Sequence, residues 1–166
     1  MNIFEMKYRA GEFSDLIGTT PESLRDWRRR GVDVGIAVGV NGQKSYCDYD
    51  RLEARIITQL RQDSYAFDSI KDAFGAGRHV TPYVARKLGL DLSHAPVSWM
   101  QTIGQWDAKF CLISGKHDFA YTSDLNHFLS KDVMAGYMQP VFTVIDMDHI
   151  AQSVRDWVTN QIETEV

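Results

Sequence analysis

Three observations on this 166-residue chain predict an α+β fold. The first is a capped helical segment bearing four arginines, Thr20-Pro21-Glu22-Ser23-Leu24-Arg25-Asp26-Trp27-Arg28-Arg29-Arg30-Gly31. The second is the apolar stretch Val34-Gly35-Ile36-Ala37-Val38-Gly39-Val40, which reaches the hairpin dipeptide Asn41-Gly42 and returns through Gln43-Lys44-Ser45-Tyr46. The third is a second half in which two strand-like runs alternate with helical stripes. Together they describe a winged helix-turn-helix over residues 1–75, with its motif in residues 8–75, and a small α/β unit over 76–166, divided at Gly75-Ala76-Gly77.

In chain order, Phe13, Leu16 and Ile17 stand at helical spacing before Gly18, as the first helix of such a motif requires. Gly18-Thr19 makes the tight turn. Thr20 is suited to cap the free amides of the next helix, Pro21 to its first turn and Gly31 to its end. Leu24 and Trp27, three apart, face a core, while Ser23, Arg25, Arg28 and Arg29 point outward. After the hairpin, Asp48 or Asp50 starts a helix whose apolar stripe is Leu52, Ile56, Ile57 and Leu60, and Phe67, Ile70, Lys71 and Phe74 predict one more short helix.

Thr81-Pro82 begins a helix ending near Gly89, and Ala95-Pro96 opens a stretch in which Val97, Met100 and Ile103 recur at threes. Residues 108–114 and 140–146 read as two strands with a helix around Ser123 to Leu129 between them. A C-terminal helix between Asp148 and Glu163 places Ile150, Val154, Trp157, Val158 and Ile162 on one face.

Composition narrows the function class. With 44% hydrophobic and 24% charged residues the chain is that of a soluble globular protein, and no run approaches the roughly 20 apolar residues that span a bilayer. Residues 1–7 lack a basic-then-apolar signal pattern, so a cytoplasmic protein without membrane contact is expected. Cys47 and Cys111 lie 64 positions apart with no ligand-spaced partner, which predicts reduced, structural thiols. The net charge of −4 hides an uneven distribution: residues 1–75 carry 11 basic and 12 acidic groups, residues 76–166 carry 7 and 10. Four of the first set of basic groups fall between positions 25 and 30, a local cationic footprint that a polyanion needs.

The opening Tyr8-Arg9-Ala10-Gly11-Glu12, the helix through Leu24-Arg25 to Arg30-Gly31, the hairpin Asn41 to Tyr46, and the run from Asp50-Arg51-Leu52 to Gln59-Leu60-Arg61 resemble, in order and spacing, the MerR family of winged-helix regulators. The form Leu24-Arg25-Asp26-Trp27-Arg28 is similar to the related excisionase- and terminase-type members, in which tryptophan holds that core position. The resemblance implies that Thr20 and Ser23 meet phosphate or base edges, that Arg25 touches DNA, that Lys44 and Tyr46 of the wing approach the backbone, and that Arg9 lies near phosphate. Arg28 and Arg29 complete the outward cationic face. Glu22 and Asp26 depart from the family pattern: they reject wrong bases, accept from cytosine, or pair with Arg29 and Arg30 along the helix. Gly75, Gly77 and Pro82 interrupt the stretch in which the family forms its long dimerising helix, so the α/β half is expected to supply a homodimer contact.

Catalytic and metal signals are weak. Phe142 to Asp148 resembles the strand-end Asp-x-Asp of haloacid-dehalogenase-type phosphotransferases, but 18 residues after Asp148 do not complete that arrangement, and strand-end or helix-cap aspartates explain it. His79, His94, His117, His127 and His149 are scattered, without i,i+4 spacing, so no metal or other cofactor and no enzyme are expected. The reading reached is a sequence-specific double-stranded DNA-binding protein, a bacterial or phage transcriptional regulator, with RNA polymerase or a phage protein as further partner. An excisionase- or small-terminase-like architectural role uses the same groove chemistry. An interaction adaptor is a third class, kept by the acids Glu22, Asp26 and Asp33 beside the basic helix.

Overall fold

The first two helices are defined by their ends. In the computed structural model, which describes residues 2–35, 37–38, 44–75, 79–96, 107–114, 118–130 and 142–163, strand β1 (Tyr8–Arg9) runs directly into α1 (Ala10–Leu16). The Glu12 carboxylate accepts the Arg9 backbone N–H at 2.8 Å, satisfying a donor left over by the helix start. Gly18, at φ +66°, makes the turn into α2 (Pro21–Arg29). There the Thr20 hydroxyl accepts the Ser23 N–H at 3.1 Å and Pro21 occupies the first turn. Gly31 ends the helix at φ +87°, and the Val32 N–H closes back on the Trp27 carbonyl at 2.9 Å.

The wing is a three-stranded sheet. Strand β3 (Lys44–Tyr46) lies at its centre, antiparallel to β2 (Ala37–Val38) on one side and to β1 on the other. Pairing of Tyr8 with Tyr46 and of Arg9 with Ser45 ties the segment before the first helix to the hairpin, an arrangement the sequence reading did not include. Of the extended run expected from Val34, Ala37 and Val38 pair with Ser45 and Lys44, and Gly35 takes φ +114° beside the Tyr46 ring. The Asn41-Gly42 tip lies outside the described residues.

The helix after the wing, α3 (Asp48–Gln62), is capped by Asp50, whose carboxylate accepts the Cys47 N–H at 2.8 Å. Its stripe of Leu52, Ile56, Ile57 and Leu60 is fully buried, each side chain contributing roughly 1.5–3 kcal/mol by the area removed from water. Helices α4 (Phe67–Gly75) and α5 (Val80–Lys87) follow as two separate elements. The predicted start of the latter at Thr81-Pro82 falls one residue inside it.

The second sheet orders its strands β5-β4-β6, all antiparallel, from β4 (Phe110–Ser114), β5 (Asp118–Thr122) and β6 (Thr143–Asp146). The sequence reading expected β4 and β6 and missed β5, a hairpin partner whose short alternating run carries little periodic signal. The expected helix around Ser123 to Leu129 is the single turn α6 (Leu125–Phe128), capped by Asp124 accepting the His127 N–H at 2.9 Å. The segment around Val97, Met100 and Ile103 lies outside the described residues.

Helix α7 (Met147–Val158), capped by Asp146, continues as a π-helical turn over Thr159–Glu163 and packs on α3 and α5. Ile150, Val154, Val158 and Ile162 are buried, with Trp157 packed at the edge. One hydrophobic cluster therefore runs from Ile3 to Ile162, joining the helix-turn-helix elements with α5, α7 and the second sheet. Cys47 and Cys111 are buried free thiols, and burial pushes the Cys111 thiol up to about 12.

Candidate nucleic-acid interface

Helix α2 turns Leu24 into the core, Trp27 packs against that core, and the other face of the helix is left to solvent. Its guanidinium groups stay outside: the side chains of Arg25, Arg28 and Arg29 are 68%, 44% and 78% exposed. With Glu22 they line a shallow groove of about 510 Å³. Thr20 and Ser23 sit at the amino end of the helix, their hydroxyls 3.1 Å apart. This end presents backbone amides and the positive pole of the helix dipole, as an anion requires.

Each arginine is paired with a nearby acid. Arg25 Nη1 lies 3.4 Å from Glu22, Arg29 Nη2 3.2 Å from Asp26 and Arg30 Nε 2.8 Å from the other oxygen of Asp26. Arg28 Nε reaches beyond the helix to Asp33 Oδ1 at 3.1 Å. Exposed pairs of this kind are worth about 0–1 kcal/mol each, weak enough for another anion to displace the carboxylates. Both acids pair along the helix: Asp26 serves Arg29 and Arg30 as expected, while Glu22 stands beside Arg25 instead.

The wing meets the helix at the same carboxylate. Asp33 Oδ1 also accepts from Lys44 Nζ, which lies 3.5 Å from the Val34 carbonyl. Partial burial favours the neutral acid at Asp33, but Lys44 and Arg28 outweigh it and hold the carboxyl below its ordinary range. Lys44 is consequently 14% exposed. Tyr46 is further in: its ring is buried and stacks on Phe13 with centroids 4.0 Å apart, and burial raises its hydroxyl above the usual tyrosine value. Arg9 is exposed on β1, paired in register with Ser45 of the wing.

Of the residues named from the sequence, Arg25, Arg28 and Arg29 share one groove, Thr20 and Ser23 stand at the amino end of the helix, Lys44 joins the groove through Asp33, Arg9 flanks the wing, and Tyr46 packs beneath. Two further participants emerge from the fold. Arg30 stacks its guanidinium over the Phe67 ring at 5.3 Å, pinning the helix end to α4. Asp33 bridges two elements; the sequence showed its charge but not that Val32 and Val34, buried on either side, aim it outward.

Residues 8–76 match the family model described as MerR HTH family regulatory protein, and no family model matches the C-terminal half. The N-terminal unit is thus similar to the helix-turn-helix of that family. No curated protein and no solved structure matches the chain. Among the described residues, no helix is long and apolar enough to cross a membrane and no group of three or more His, Cys, Asp or Glu is placed to hold a metal ion.

Proposed function

We propose that this protein is a sequence-specific double-stranded DNA-binding transcriptional regulator of a bacterium or phage, acting from the cytoplasm. The observation that carries the reading is the outward arginine face of α2, Arg25, Arg28 and Arg29, standing beside a wing lysine on one side of the molecule. A major groove about 12 Å wide admits one helix, and a wing beside it reaches the flanking backbone. In this role Arg25 and Glu22 read base edges, Thr20, Ser23, Arg9 and Arg29 meet phosphates, and Arg28, Lys44 and Tyr46 form the junction between helix and wing. Residues 76–166 act as a unit for self-association or for a protein partner such as RNA polymerase. A homodimer through them places two recognition helices about one DNA turn, roughly 34 Å, apart.

The test is duplex affinity measured against salt. Two arginine–phosphate contacts per copy, from Arg9 and Arg29, predict log affinity falling against log salt with a slope of roughly −2. A flat response rules out DNA and favours an adaptor whose helix face binds protein. A binding-site selection on the intact chain then returns the motif, and half-site spacing reports whether two copies bind.

A further inference from the structure

We propose that Asp33 is the positioning residue that locks the recognition helix to the wing, and that it thereby sets how strongly this protein prefers its target over random DNA. The proposal rests on the DNA-binding reading above.

The geometry is that of a joint. One oxygen, Asp33 Oδ1, accepts from Arg28 Nε on α2 and from Lys44 Nζ on β3. Glu22 and Asp26, in contrast, pair with arginines three or four positions along their own helix. The carboxylate is itself held still. Val32 and Val34 on either side are 2% and 5% exposed, Gly31 and Gly35 bracket them in the left-handed region at φ +87° and +114°, and a side chain on Gly35 would lie 3.2 Å from the Tyr46 ring and 3.7 Å from Lys44 Cδ. The backbone of residues 31–35 is thus wedged between the end of the helix and the wing, and Asp33 projects from it at a fixed point.

Two consequences follow for a bound polyanion. Arg28 and Lys44 carry long side chains with many rotamers, and the shared carboxylate orders both before any duplex arrives. A duplex whose shape suits that spacing gains; others do not. The same negative charge also screens two cations from phosphate in general, which suppresses sequence-independent binding. Removal of the carboxylate charge therefore loosens selectivity while strengthening non-specific attraction, a combination that neither an ordinary phosphate contact nor a purely structural residue produces.

The experiment compares the intact chain with Asp33→Asn on a selected target duplex and on random duplex of equal length, across a salt series. For random DNA we expect tighter binding and a slope steeper by roughly 0.9–1.8, one or two added phosphate contacts. The ratio of target to random affinity should fall about tenfold or more, and Asp33→Glu, which keeps the charge, should restore the wild-type slope. Asp33→Ser carries the same expectations if the asparagine variant fails to fold. An unchanged slope and ratio, or a parallel loss on both duplexes, overturns the proposal while leaving DNA binding intact. A flat salt response of the wild type instead removes the DNA reading and this proposal together.

Discussion

The guanidinium of Arg51, buried on α3, lies 5.8 Å over the ring of Trp157 on α7. Its Nη1 donates to Asp48 Oδ1 at 2.9 Å and to the Tyr8 hydroxyl at 3.1 Å, while Lys7 Nζ reaches the other oxygen of Asp48 at 2.9 Å. This ionic knot ties β1, the start of α3 and the C-terminal helix together. Because Asp48 is 2% exposed, losing Arg51 leaves its buried carboxylate with Lys7 and the Tyr8 hydroxyl and opens a hole where the guanidinium packed. Arg51→Ala is expected to destabilise the fold by about 3–5 kcal/mol in urea unfolding, with Trp157→Ala smaller but of the same sign. A loss below about 1 kcal/mol for Arg51→Ala would show that the knot is dispensable.

Burial lowers the pKa of His79 below its ordinary 6.5, and its ring packs edge-on against Tyr121 with centroids 4.5 Å apart. The unfolded chain then takes up this proton at higher pH than the folded one. Stability from keeping His79 neutral is complete above about pH 6.5 and declines as pH falls through that value towards the folded pKa. The melting temperature should drop between about pH 7 and 5, and His79→Leu should flatten that part of the curve. Identical profiles for the two proteins would assign the acid sensitivity elsewhere.

Arg25 and Glu22 present a donor and an acceptor side by side at the end of α2, the complement of a G·C pair in the major groove, where guanine O6 and N7 accept and cytosine N4 donates. Arg25→Ala should weaken target binding by about 1–3 kcal/mol and relax base choice at one position. Glu22→Gln should relax the same position yet bind random duplex more tightly, since it takes a negative charge away from phosphates. Binding-site selection on both variants checks this; relaxation at different positions contradicts a shared base pair.

Two glycines should respond to alanine with opposite signs. Gly31, at φ +87°, would place a Cβ 2.8 Å from the Lys71 side chain, so Gly31→Ala is expected to cost about 1–2 kcal/mol. Gly11 lies within α1 with nothing near its Cβ position, so Gly11→Ala should stabilise by about 0.5–1 kcal/mol. Denaturant midpoints decide both, and equal signs would refute the backbone argument.

What could be read from the residues beforehand follows a physical division. Thr20, Pro21 and Gly31 bound α2 because capping chemistry is local, and Leu52, Ile56, Ile57 and Leu60 marked α3 because a buried stripe repeats with the helix. The antiparallel pairing of β1 with the wing and of β5 with β4 depends on partners distant in sequence or hidden in short runs. At the site, the cationic face of α2 was visible in composition. The depth of Tyr46 and the bridging by Asp33 were not, since both depend on where residues 31–35 cross the wing.

Helix α3 begins two residues beyond Tyr46, and its flank is covered by α7. That makes α3 a rigid beam between the C-terminal half and the strand carrying Lys44, with no loose tether in between. Close-packed helices shift in discrete steps rather than bending gradually. A displacement of Met147–Val158 would therefore tilt the wing as well, giving the C-terminal helix a mechanical route to the strand that carries Lys44.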